Sequence, residues 1–154
     1  MHGRLKVRTS AEEAIRRKKE QDLKAKAYRN GWDKIVAMRA ANLLDQSLMD
    51  ITSKILSVNP DHSTLWNIRR ECILKMTAIE LPDSSLFQKD LEFTELCLQV
   101  QPKCYGAWHH RVWILENSPN PDWEREVKLC TLYLKKDERN CKFTQIANLL
   151  RHKF

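Results

Sequence analysis

Lys103 follows Pro102 and precedes Tyr105 by two positions, where a helix is expected to begin. Free backbone N–H groups and the positive end of a helix dipole favour an anion at such a place. A flexible ammonium there can neutralise charge that develops on a leaving group. On the residues alone, a solvated loop lysine and a packing tyrosine stand ahead of that reading. Metal chemistry finds less support. His109 and His110 are adjacent, about 100° apart on a helix, and cannot converge on one ion. The five cysteines (72, 97, 104, 130 and 141) form no Cys-x-x-Cys and no zinc-ribbon spacing. They read as reduced thiols, mostly filling core. His2 could reach a neighbouring metal, but a terminal histidine on an unstructured arm is the plainer account.

The elements that must position these groups are helices ended by proline. Ser10-Ala11-Glu12-Glu13 has the form of a capping box. It opens a helix from Ala11 to about Ala41, in which Gly31 is tolerated at a cost of about 1 kcal/mol and marks where a break can occur. A second helix, about Asp45 to Val58, carries Leu48, Ile51, Ile55 and Val58 on one stripe and stops at Asn59-Pro60. A third, about Ser63 to Ile79, turns Leu65, Ile68, Cys72, Met76 and Ile79 inward, and Pro82 follows. Further helices are expected over about Ser84–Val100, Cys104–Glu116, Asp122–Lys135 and Thr144–His152.

The alternation hides a repeat. Pro60 and Pro102, Trp66 and Trp108, and Arg69 and Arg111 each stand 42 residues apart, and Asp137-Glu138-Arg139-Asn140 opens a third unit. Tetratricopeptide repeats recur at about 34 residues and do not fit. A tryptophan and an arginine three residues later share one helix face. The tryptophans are therefore expected to fill the space between stacked helix pairs, and the arginines to satisfy carbonyls or a carboxylate on the next helix. Each pair must bury its apolar stripe against its neighbours.

Composition agrees. Only 3 glycines in 154 residues, with 42% hydrophobic and 31% charged side chains, favour amphipathic helices over a sheet-rich fold. The net charge of +7 is concentrated at one end: residues 1–30 hold ten basic residues against four acidic, and the remainder 17 against 16. The repeat body is nearly neutral, which argues against nucleic acid as the partner. No secretory signal and no run of about 18 apolar residues occurs, so a cytoplasmic chain without a transmembrane segment is expected.

The segment Pro102-Lys103-Cys104-Tyr105-Gly106-Ala107-Trp108-His109-His110-Arg111 resembles the P-K-x-Y-x-x-W-H-H-R motif of the protein prenyltransferase α-subunit repeat family. Asn59-Pro60 with Leu65-Trp66-Asn67 and Arg69-Arg70 is the same motif one unit earlier. The start, Met1-His2-Gly3-Arg4-Leu5-Lys6-Val7, is similar to the branch that geranylgeranylates Rab GTPases. It lacks the longer Pro-rich leader of the farnesyltransferase branch, which remains the alternative alongside a non-catalytic helical scaffold.

The resemblance implies an all-α, right-handed αα superhelix, here the N-terminal portion of a crescent around a β subunit. It divides the chain into an arm and long helix (1–41), repeats (42–140) and a divergent tail (141–154). It further implies transfer of geranylgeranyl from geranylgeranyl diphosphate to C-terminal cysteines of a Rab GTPase presented by a Rab escort protein. Zinc is expected in the β subunit and no cofactor in this chain. Lys103 and Tyr105 take roles at the diphosphate, and Asn140 matches a position lining the same crevice.

The resemblance ends near Asn140, because Cys141, Thr144 and Ala147 stand where the family has an aromatic residue, Trp and Arg. A shortened form is expected, inactive alone and weak in pairing with β. The apolar face of Leu129, Leu132 and Tyr133 should then be bare unless Ile146, Leu149 and Leu150 cap it.

Overall fold

Ser10 starts the first helix as its spacing predicts: Oγ accepts from the Glu13 amide at 3.2 Å, and α1 runs over Ala11–Ala40. It passes through Gly31 without a break. A Cβ at Gly31 would come within 3.3 Å of Ile55 Cδ1, so the glycine lies where α1 meets the next helix. Residues 11–30 are exposed throughout, although the Tyr28 ring lies 6.1 Å from that of His62, and the core begins beyond them with Trp32, the buried Ile35 and Met38. The helix closes on Asn42 in the left-handed region (φ 55°), with Leu43 N donating to Met38 O at 2.8 Å and Asn42 N to Arg39 O at 3.0 Å. Asparagine is among the few non-glycine residues that accept this turn at small cost. Lys75 Nζ donates to the Asn42 carbonyl, and Arg39 grips Glu71 with two hydrogen bonds, tying the end of α1 to the third helix.

The structure is a computed structural model that describes residues 10–79 and 84–136. Among these, six helices and no strand occur: α1, α2 (Gln46–Leu56), α3 (Ser63–Ile79), α4 (Ser84–Val100), α5 (Tyr105–Asn117) and α6 (Trp123–Lys136). The all-helical class expected from the sequence holds, and the stacked pairs are consistent with an αα superhelix. The arm of residues 1–9 with His2, the turn at Pro82, the Asp137–Asn140 opening with its Asn140, and the helix expected over Thr144–His152 lie outside the described residues. So does the side chain of Ile79.

Helix α2 pairs with α3 and α4 with α5, α1 lies against α2, and α3 packs on α5 across the junction between pairs. One continuous core runs from Ile35 to Tyr133 and includes Leu48, Leu65, Ile73, Leu98 and Ile114, all at most 1% exposed. One expectation is corrected. Val58 is 80% exposed, because α2 ends at Leu56 and Val58 lies in the turn beyond the stripe. Tyr133 is buried, its ring edge-on to Trp108 with centroids 5.4 Å apart, and Leu132 is half exposed; the expected cap of Ile146, Leu149 and Leu150 lies outside the described residues.

Candidate functional site

Both repeat arginines are buried and make one construction twice. Arg69 Nη1 donates to Met49 O and Thr52 Oγ1, each at 2.8 Å, and to Ser53 Oγ at 2.7 Å on α2. Its other side donates to Asp90 on α4, while Cζ lies 4.5 Å from the centroid of Phe93. Arg111 Nη1 donates to Leu91 O at 2.6 Å and Thr94 Oγ1 at 2.8 Å on α4, and its Nε and Nη2 to Glu126 on α6 at 2.5 and 2.6 Å. Each arginine thus satisfies the first helix of its own pair and a carboxylate on the next helix at once. A planar fork of donors makes that double role available.

The tryptophans repeat as closely. Trp66 Nε1 donates to Pro60 O at 2.8 Å, and Trp108 Nε1 to Pro102 O at 3.0 Å. Each indole is 1% exposed and closes the loop six residues before it onto its own helix. Such a partner is what a buried indole N–H requires.

The Lys103 segment lies in the loop that leads into α5. Cys104 is the N-cap: Sγ accepts from Ala107 N at 3.4 Å and donates to Pro60 O at 3.1 Å. Gln101 Nε2 donates to Asp61 in the same earlier loop. Lys103 and Tyr105 flank the buried cap and are both exposed, Tyr105 by 52%. The helix start therefore carries an ammonium and a phenol on its outer side. The two stand two residues apart, on either side of Cys104. Trp66, Arg69, Trp108 and Arg111 form the body beneath them.

His109 is exposed and His110 fully buried, as two adjacent helical positions must diverge. His110 Nε2 lies 2.6 Å from Asp90 Oδ2, Arg70 Nε lies 3.4 Å from Nδ1, and Trp113 stacks on the ring at 5.9 Å. Burial holds His110 below its ordinary pKa, against the pull of the Asp90 carboxylate. Burial pushes Asp90 up, but the His110 hydrogen bond and the Arg69 charge together outweigh it and hold the carboxyl below its ordinary value. Burial also pushes Cys72 and Cys104 up to about 11, and Cys97 and Cys130 to about 12. Among the described residues, no three of His, Cys, Asp and Glu gather as ligands. Nor is any helix there long and apolar enough to cross a membrane.

Sequence reading missed Thr52, Thr94, Asp90, Glu126 and Gly106. The threonines carry the same 42-residue echo, as do Met49 and Leu91, and could have been found by it. The carboxylates carry none: Asp90 is 21 residues beyond Arg69, whereas Glu126 is 15 beyond Arg111. Helix α5 has 13 residues where α3 has 17, which shifts everything after it.

The pairs described above coincide with matches to known sequences. Residues 45–76 and 87–118 match the protein prenyltransferase alpha subunit repeat. The chain is 46% identical to the geranylgeranyl transferase type-2 subunit alpha of Rattus norvegicus over 142 residues, 91% of this chain and 25% of that protein. It is 38% identical to the protein of the same name from Dictyostelium discoideum and 31% to that of Saccharomyces cerevisiae, covering 46% and 43% of them. The chain spans about a quarter to a half of the curated relatives it matches. Helix pairs α2–α3 and α4–α5 coincide with the two matches to the protein prenyltransferase alpha subunit repeat, and over 91% of its length the chain is similar to part of the geranylgeranyl transferase type-2 alpha subunit.

Proposed function

We propose that the chain provides the diphosphate-facing part of a Rab geranylgeranyltransferase α subunit, working in the cytoplasm with a β subunit. In the reaction, a C-terminal cysteine sulfur of a Rab GTPase, presented by a Rab escort protein, bonds to the first carbon of the geranylgeranyl group. The carbon–oxygen bond breaks and diphosphate leaves with the electron pair. Lys103 neutralises that charge from the start of α5, and Tyr105 supplies a hydroxyl beside it. The observation that carries this reading is the joint exposure of Lys103 and Tyr105 around a buried cap, within a matched repeat. Zinc and the lipid pocket are assigned to the β subunit, in keeping with the absence of any three gathered His, Cys, Asp or Glu among the described residues. The chain alone does not complete the reaction.

The test grafts the matched residues into the rat subunit in place of their counterparts and pairs the chimera with the rat type-2 β subunit. Co-purification and Rab prenylation are expected. A chimera that pairs and transfers equally well with and without Lys103 would leave the chain a helical scaffold.

A further inference from the structure

The carbonyl of Pro60 is held from two sides. Trp66 Nε1, in the same repeat, donates to it at 2.8 Å, and Cys104 Sγ, in the next repeat, at 3.1 Å. The first turn of α5 lies directly over the Trp66 ring. A Cβ at Gly106 would fall 2.5 Å from Trp66 Cδ1 and 2.7 Å from Nε1, closer than real contacts allow. Gly106 is therefore the residue that lets the backbone reach the indole. Between them, Cys104 and Gly106 bracket Tyr105, and Lys103 immediately precedes the cap. The Gln101–Asp61 hydrogen bond fastens the same two loops at their outer edge.

We propose that the Pro60 carbonyl, gripped by Trp66 and Cys104, and the gap at Gly106 set the position of Lys103 and Tyr105, making Cys104 and Gly106 positioning residues for those groups. This rests on the reading of Lys103 and Tyr105 as the diphosphate-facing pair. The reach of an ammonium on a flexible stem depends on where its Cα is held, and a displacement of about 1 Å can cost on the order of 100-fold in a reaction. The preceding repeat thus fixes the anion-facing edge of the following one through one shared acceptor.

The experiment uses the full 154-residue chain, labelled with 15N, with inorganic pyrophosphate as the probe. Cys104→Ala should speed amide exchange at Tyr105–Ala107 by about 5-fold or more, as expected for a lost cap. It should also weaken the pyrophosphate-dependent shifts of the 103–107 amides. Cys104→Ser keeps an acceptor and a donor and should restore both. Gly106→Ala should displace the Trp66 indole N–H resonance and weaken the same shifts, although alanine is the better helix former and would on its own favour α5.

Unchanged exchange in Cys104→Ala, or an unmoved Trp66 resonance in Gly106→Ala, overturns the proposal, whatever pyrophosphate does. Should the parent chain show no pyrophosphate shift, or Lys103→Ala show the same shift as the parent, the diphosphate reading falls instead. The exchange and indole signals then decide alone whether the anchor exists.

Discussion

Arg70 donates its Nε hydrogen to Nδ1 of His110, 3.4 Å away, and so determines which ring nitrogen of His110 carries the proton. A guanidinium can only donate, so Nδ1 accepts and the proton is on Nε2, facing Asp90 at 2.6 Å. A neutral imidazole thus bridges α3 and α4 from its place on α5. The unfolded chain takes up a proton here near pH 6.5, whereas burial and the two arginines delay uptake in the fold to lower pH. Within that interval the unfolded state binds more protons, and stability falls as pH falls. Asp90 behaves alike lower down, its stabilisation being lost from about its ordinary 3.8 downward. Urea midpoints between pH 7 and 3 should therefore decline in two steps. His110→Gln should flatten the upper one, and a midpoint indifferent to pH over this range would mean the histidine is not buried neutral.

Arg111→Ala should destabilise the chain by about 3–5 kcal/mol, because Glu126 is left as an unpaired charge at 2% exposure. The double variant Arg111→Met with Glu126→Leu should recover most of that loss, since desolvating the pair offsets much of its attraction. Chemical denaturation of the three proteins checks both statements. A double variant no better than Arg111→Ala would show that the bonds to Leu91 O and Thr94 outweigh the ion pair.

Trp108→Ala should cost about 3–5 kcal/mol, the range for a large buried aromatic. The side chain is 1% exposed, meets Tyr133 edge-on and closes onto Pro102. A thermal transition at the parent's temperature would place the ring at the surface.

Lys103→Ala, in the chimera paired with its β subunit, should leave the heterodimer intact and slow prenyl transfer. Loss of one charge contact to the leaving diphosphate corresponds to about 10- to 1000-fold in rate. Turnover unchanged at saturating geranylgeranyl diphosphate removes Lys103 from the site.

Cysteines 72, 97, 104 and 130 are buried thiols whose pKa values are raised to about 11 or 12. At pH 8 they are protonated and screened, so a thiol reagent should label them slowly in the native protein and fully in guanidinium. Peptide mapping after brief native labelling reads this residue by residue, and rapid modification of Cys104 would contradict its place as a helix cap.

The features that could be read from the sequence are those that recur. A 42-residue echo located Trp66 with Trp108 and Arg69 with Arg111, and proline stops located the helices to within a few residues. The arginines' carboxylate partners escaped because they lie on the following helix, whose register depends on the length of the helix between. The contact of Gly106 with Trp66 escaped for a related reason, since the residues are 40 apart and touch only when two repeats stack. Val58 shows the converse error: a stripe was extended by periodicity past the point where the backbone stops being helical. Lys103 and Tyr105 could be singled out because their motif is contiguous, whereas the Pro60 loop that Cys104 bonds belongs to another repeat.

The double grip of each arginine bears on how the molecule comes apart. Arg69 belongs by sequence to the α2–α3 pair but is completed by α4, and Arg111 belongs to α4–α5 but is completed by α6. Peeling away either pair as a unit would strand a guanidinium on one side or a carboxylate on the other. The cheapest opening therefore does not run along a repeat boundary. Melting from α3 to α6 should be a single transition seen equally by far-UV circular dichroism and tryptophan fluorescence, with no half-unfolded plateau.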